Sequence, residues 1–151
     1  PSFLFSEGQY GKGEAAVYFY TSVFEPSSIV GLLLYAAGEE QPEGKLKHAQ
    51  FTLNGQVFMS MDGPAEFTFN EAVSLVIECE NQQEIDYYWN TLTSDGGQES
   101  MCGWLKDRFG VSWQVVPTVL KELMSDPERA PRVVQAFLKM KKFDIETLMQ
   151  A

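Results

Sequence analysis

The sequence predicts an α+β fold: two copies of a β-α-β-β-β module followed by C-terminal helices, on a single domain of residues 1–151. Three observations predict it. Asn54-Gly55 separates two strand-like segments, 45–53 and 56–62, and Asn-Gly readily takes the positive φ that a two-residue type I′ hairpin demands at both positions. Ala16, Phe19, Tyr20 and Val23 fall at i, i+3, i+4 and i+7, one apolar stripe of a helix lying on a sheet. Ile85, Tyr88, Trp89 and Leu92 repeat that spacing. Each stripe follows a short apolar strand (3–5 and 73–79) and precedes further strands, so the chain reads as a duplicated module. The tight hairpin makes part of the sheet antiparallel and argues against an all-parallel doubly wound fold.

Module one covers about 1–63, module two about 70–117, and the helices 118–151. In the second module Asn81 and Glu84 resemble an N-cap with its capping-box partner. After that helix come a strand at 101–106, a turn at 107–110 and a strand at 111–116, ended by Pro117. Residues 118–124 form a short helix. Ser125-Asp126 then caps the next one, with Pro127 suited to its first position and Pro131 kinking or restarting it. Val133, Val134, Phe137, Leu138 and Met140 give that helix an apolar face, and Asp144 caps a last helix bearing Ile145, Leu148 and Met149. No linker-like change of composition separates these helices from the sheet.

A chain of 151 residues with 44% hydrophobic and 13% aromatic residues builds its core without disulfides or metals. Its net charge of −10 repels phosphate backbones and anionic headgroups, which excludes nucleic acid and membrane as partners. The basic run of Lys139, Lys141 and Lys142, with Arg129 and Arg132 nearby, reads as a solvated helix face. Cys79 and Cys102 are too far apart for a CxxC motif and read as buried, reduced thiols. The longest apolar stretch, 29–37, is interrupted by Gly31 and too short to span a bilayer. No charged-then-apolar leader opens the chain, which therefore reads as a soluble cytoplasmic protein.

Few motifs carry chemistry. Glu7-Gly8-Gln9-Tyr10-Gly11-Lys12-Gly13 sits between a strand and a helix, where nucleotide-binding glycine loops occur, but Gln9 replaces the middle glycine and no ribose-binding acid follows. A flexible loop is the reading. His48 is the sole histidine, with no HxxH, CxxC or HExxH companion, and reads as a strand or surface residue. Without GxSxG, a hydrolase triad would have to be built around His48, and nothing supports that. The aromatic-rich segment from Cys102 to Gln114 is more informative. Strand alternation turns Ser112, Gln114 and Val116 one way and Val111, Trp113 and Val115 the other, so Gln114 faces what the sheet encloses if Trp113 lies under a helix. Ser74 and Val76 likewise oppose Leu75, Ile77 and Cys79. A curled sheet with a few polar groups on its open face is a ligand-site candidate.

Three stretches together carry a family resemblance: Phe67-Thr68-Phe69-Asn70-Glu71-Ala72-Val73-Ser74; Glu80 to Asp86 with Trp89 and Leu92; and Cys102 to Asp107 with Phe109 to Pro117. With Leu138 to Lys142 they resemble the PhnB-like family, often named after demethylubiquinone methyltransferase, in the vicinal-oxygen-chelate (glyoxalase/bleomycin resistance) superfamily. That resemblance implies paired βαβββ modules forming cupped mixed sheets, and a homodimer. It also implies a divalent metal held by His, Glu or Gln on the cupped strands. Matched to that pattern, Gln114 stands where a glutamate ligand is common and Ser74 where a histidine is common, while Phe3, Leu4 and Phe5 supply no ligand. Two positions have thus lost their donors, and Gln114, Glu71 and Glu78 are the residues left to hold a metal if one binds. Extra residues around Tyr10 to Gly13 also depart from the pattern.

The cavity candidates are Phe5, Phe69, Ser74, Trp104 and Gln114. The expected function is binding of a small, partly aromatic metabolite in a cupped-sheet cavity. The alternatives are a divalent-metal-dependent isomerase, lyase or dioxygenase, and the methyltransferase of ubiquinone biosynthesis that the family name suggests. For the last, the sequence offers no site for a methyl donor.

Overall fold

A computed structural model describes all residues, Pro1–Ala151, and the chain folds as two compact units, Pro1–Thr68 and Phe69–Ala151. The first contains β1 (Ser2–Phe5), α1 (Gly13–Val23), β2 (Ser27–Leu34), β3 (Leu46–Leu53) and β4 (Gln56–Asp62). Its sheet runs in the order β1-β4-β3-β2, with β1 parallel to β4 and the other pairs antiparallel. The β3–β4 hairpin turns at Asn54 (φ 49°) and Gly55 (φ 81°), as the Asn-Gly signal predicts. Phe3, Phe5, Ala49, Phe51 and Phe58 are buried with Ala16, Val17, Tyr20 and Val23 of α1. Val17, not Phe19, completes the buried stripe. The helix buries a face wider than a single i, i+3, i+4 row, and Phe19 sits half-buried at its margin.

The loop between β1 and α1 is not slack. After a 3-10 turn at Glu7–Gln9, the Gly11 and Gly13 amides donate to Asp62 Oδ1 (3.1 and 3.0 Å), and Asp62 Oδ2 accepts from the Leu46 amide at 2.7 Å. Two amides that a phosphate cradle would present outward are directed onto a buried carboxylate.

The second unit contains β5 (Leu75–Cys79), α2 (Gln82–Thr93), β6 (Gln98–Glu99), β7 (Trp104–Lys106) and β8 (Ser112–Pro117), in sheet order β5-β8-β7-β6. Here too the first strand pairs parallel with the fourth, and the other two pairs, fourth with third and third with second, are antiparallel. The duplication is therefore one of topology. Asn81 caps α2 by accepting from the Glu84 amide at 2.9 Å, and Glu84 reaches back to the Glu80 amide at 2.7 Å. Ile85, Trp89 and Leu92 are buried, as are Ile77, Cys79, Leu105, Trp113 and Val115 on the sheet strands against which α2 packs.

Residues 101–106 are not one strand. β6 and β7 are separate short strands, joined by a turn in which Cys102 (φ 57°) and Gly103 (φ 80°) are left-handed. Their amides donate to Met140 O and Lys141 O, each at 2.8 Å, so a distant segment draws this turn out of the sheet. Val73 and Ser74 likewise precede β5 instead of belonging to it.

Three short helices follow and pack on one another: α3 (Val119–Ser125), α4 (Ala130–Phe137) and α5 (Ile145–Gln150). Pro131 stands in the first turn of α4, which restarts the helix there. Pro127 instead lies in the preceding turn, where Asp126 accepts from the Glu128 and Arg129 amides (2.9 and 3.3 Å). Asp144 caps α5 through the Thr147 amide at 2.7 Å. The basic run is not a helix face. Lys141 and Lys142 follow α4 and reach Glu99 (3.5 Å) and Asp86 (2.7 Å), because that segment is held beside the β6–β7 turn. No helix is long and apolar enough to cross a membrane.

The two thiols differ in environment. Burial, with Glu84 adding to it, pushes the Cys79 thiol up to about 12, while Cys102 is half-buried with its Sγ 3.6 Å from Phe137 O. We predict that iodoacetamide at about pH 8 alkylates Cys102 and spares Cys79 in the folded protein, read by peptide mass; labelling of folded Cys79 contradicts it. An unfolded thiol ionises near 8.5, so above about pH 9 the unfolded chain releases a proton that the native state retains. Stability contributed by the neutral thiol is lost as pH climbs from there toward 12.

Candidate functional site

The second unit's sheet has one face against α2 and one open face. Leu105, Trp113 and Val115 point to the helix, so alternation sends Trp104, Lys106, Ser112, Gln114 and Val116 to the open side. Register then aligns them in rows: Trp104 is opposite Gln114, which is opposite Val76, and Lys106 is opposite Ser112. At the β6–β7 end lies a hollow of ≈ 340 Å³ lined by Glu71, Gln98, Glu99, Ser100, Trp104, Leu105, Lys106 and Ser112.

Its charge is arranged around one ammonium. Lys106 Nζ lies 2.7 Å from Glu71 Oε1, and that hydrogen bond holds the Glu71 carboxyl below the usual carboxylate range. Glu71 is presented by an Asx turn, Asn70 Oδ1 accepting from the Ala72 amide at 2.9 Å. The Glu71 side chain is 62% exposed, so solvent screens the pair and it is a weak one. On the opposite wall Glu99 accepts from Trp89 Nε1 at 2.8 Å, which lowers its carboxyl, and Lys141 adds to the effect. Asp107 fixes the turn leading into β8: its Oδ1 accepts from the Phe109 and Val111 amides (2.8 and 3.1 Å) and its Oδ2 from Trp113 Nε1 (2.8 Å).

Of the residues named from sequence, Trp104 and Glu71 line this hollow. Ser74 and Gln114 are brought together, Gln114 Nε2 donating to Ser74 Oγ at 2.9 Å. Phe69 is half-buried beside Gly110. Phe5 does not line the hollow; it is fully buried in the first unit, its ring 6.3 Å from that of Phe3. Glu78 is exposed on β5, and His48 is exposed on β3. Sequence reading missed Lys106, as it missed Gln98, Glu99 and Ser100; for Lys106 the signal was available, since period-two counting from Trp104 lands on it.

The donor set does not fit a resident divalent ion. No three His, Cys, Asp or Glu side chains come together in a group that could hold a metal, Glu71 is paired with the Lys106 ammonium, and Gln114, whose Nε2 donates to Ser74 Oγ, offers one neutral carbonyl oxygen.

The doubled β-α-β-β-β topology, with an open sheet face on which aromatic and polar groups line a hollow, is the vicinal-oxygen-chelate (glyoxalase/bleomycin resistance) fold. The chain belongs to the family described as 3-demethylubiquinone-9 3-methyltransferase, whose model matches residues 1–116. It is similar to a solved structure from Bacillus cereus described as a putative 3-demethylubiquinone-9 3-methyltransferase, PhnB protein: 38% identity, TM-score 0.70, over 78% of this chain and 98% of that one. Protein PA1353 from Pseudomonas aeruginosa shares the fold at 20% identity and TM-score 0.64, covering 78% and 94% of the two chains. The fosfomycin resistance protein FosX from Listeria monocytogenes, solved with Mn(II) and sulfate, shares it at 11% identity and TM-score 0.55, covering 80% and 91%. No curated protein matches significantly.

Proposed function

We propose that the protein is a binding module that takes a small, ring-bearing anionic metabolite into the hollow on its second sheet. The juxtaposition of Trp104 with the displaceable Lys106–Glu71 pair carries the reading. An indole offers a face for a planar ring, and an ammonium released by an exposed carboxylate offers a partner for a carboxylate or phosphonate. Ser100, Ser112 and Gln98 supply neutral hydrogen-bonding groups around it. The name of the B. cereus relative suggests a methyltransferase, but the one glycine loop that could cradle a cofactor has its amides on Asp62. A homodimer, as the superfamily resemblance implies, completes the proposal, together with the cytoplasmic location read from the sequence, and native mass tests the oligomer.

Tryptophan fluorescence and thermal shift across a panel of aromatic acids and antibiotics test the binding. At least one anionic ring compound is expected to quench fluorescence and raise the melting temperature. Trp104→Ala is expected to weaken that ligand roughly tenfold, about 1.4 kcal/mol. Lys106→Met is expected to weaken anionic ligands while leaving neutral analogues unchanged. Absence of any response across the panel would overturn the proposal.

A further inference from the structure

We infer a second site on the first unit: a surface position for a soft monovalent cation, of the Cu(I) or Ag(I) type, formed by His48, Met59 and Met61. Phe58, Ser60 and Asp62 of β4 are buried, so alternation turns Met59 and Met61 to the open face of that sheet. There they are 41% and 38% exposed, two thioethers two residues apart on one strand. On the neighbouring strand Gln50 pairs with Met59 and Ala49 with Ser60. The paired ladder ends at Ala49–Ser60, beside an irregularity of β3 between Leu46 and His48; one more step in the same register would bring His48 level with Met61. Ala49 is fully buried and His48 exposed, so the imidazole lies on the same face as the two thioethers.

The chain's sole histidine thus shares a sheet face with a Met-x-Met pair only through strand placement, which is why no short motif announced it. Directly opposed residues stand about 5 Å apart at Cβ, and i, i+2 neighbours on a strand about 6.5–7 Å. Unbranched methionine side chains span such gaps and converge on one ion. Two thioethers and an imidazole form a neutral, soft donor set, which selects a soft monovalent ion over Mg(II) or Ca(II), whose ligands are oxygens. The nearest carboxylate on β4, Asp62, is turned inward and holds backbone amides, which leaves the neutral Gln50 amide opposite Met59 as the hard donor beside the site. The net charge of −10 attracts any cation to the surface.

The test uses silver as a redox-inert probe, added to the full chain in a Cys102→Ser background with ¹³C-methyl-labelled methionine. The ε-methyl resonances of Met59 and Met61 are expected to shift together and saturate at a single ion per chain. Met101, Met124 and Met149, exposed elsewhere on the surface, provide the internal reference and should stay still. His48→Ala is expected to weaken binding about tenfold or more, at least the loss seen when an outer partner of a metal site is removed. Met59→Leu with Met61→Leu, a change that keeps volume and removes both sulfurs, is expected to abolish it. Equal shifts at all exposed methionines, silver captured with no methionine shift, or undiminished affinity in His48→Ala would each overturn the inference.

Discussion

Asp107→Ala is expected to destabilise the protein by about 3 kcal/mol or more, lowering the melting temperature by roughly 6–12 °C. The change strips the acceptor from the Phe109 and Val111 amides and from the indole N–H of Trp113, all of them on buried residues. Hydrogen bonds to an ionised group contribute more than neutral ones, and a buried donor left unmade costs its full desolvation. Asp107→Asn separates the contributions. Its carbonyl oxygen still serves the two amides, but its NH2 group meets the Trp113 indole as donor against donor, so an intermediate loss is expected. The near-ultraviolet circular dichroism of Trp113 should change in both variants. A loss below about 1 kcal/mol in Asp107→Ala would mean water replaces the carboxylate. Because Asp107 directly follows Lys106 and shapes the turn into Ser112, ligand affinity in the hollow should fall as well.

Gly103→Ala is expected to destabilise by about 2–4 kcal/mol, from two separable causes. At φ 80° an L side chain is strained, and a Cβ here would stand 2.5 Å from Phe143 Cε2 and 2.7 Å from the Val115 carbonyl oxygen. The turn cannot simply retreat. Its Cys102 and Gly103 amides are tied to Met140 O and Lys141 O, and the Gly103 carbonyl accepts from Val115 N at 2.8 Å. Repeating the substitution in a Phe143→Leu background isolates the steric part, since a smaller neighbour should recover some of the loss. If the two changes are additive, the backbone conformation alone accounts for the cost. Trp104 follows Gly103 directly, so an intact fold with weakened ligand binding would report displacement of the indole.

Local chemistry was legible in the sequence. Asn54-Gly55 could turn one way, Asn81 and Asp144 could cap, and period-two alternation alone put Gln114 opposite Trp113 in orientation. The duplicated β-α-β-β-β order was also readable, because apolar stripes and strands recur in sequence order whatever their packing. What misled was any inference needing a partner from far along the chain. Cys102 and Gly103 look strand-like until Met140 and Lys141 draw them into a turn. The lysines of the basic run look like a helix face until that same segment, beyond α4, brings Lys142 and Lys141, still partly exposed, to Asp86 and Glu99. Phe5 has the composition of a cavity wall, but the face it occupies was decided by the core of its own sheet.

The sequence by itself determined which residues could form strands, helices, turns and caps, and which side of each strand a residue takes. These depend on dihedral preference and periodicity, which neighbouring residues set. Only the tertiary structure decided that Lys106 meets Glu71, that Asp107 meets Trp113, and that Gln50 stands across from Met59 with His48 on the same face. Those contacts depend on strand register and on closure of long loops, and register is settled by the summed packing of a whole face, not by any residue in it.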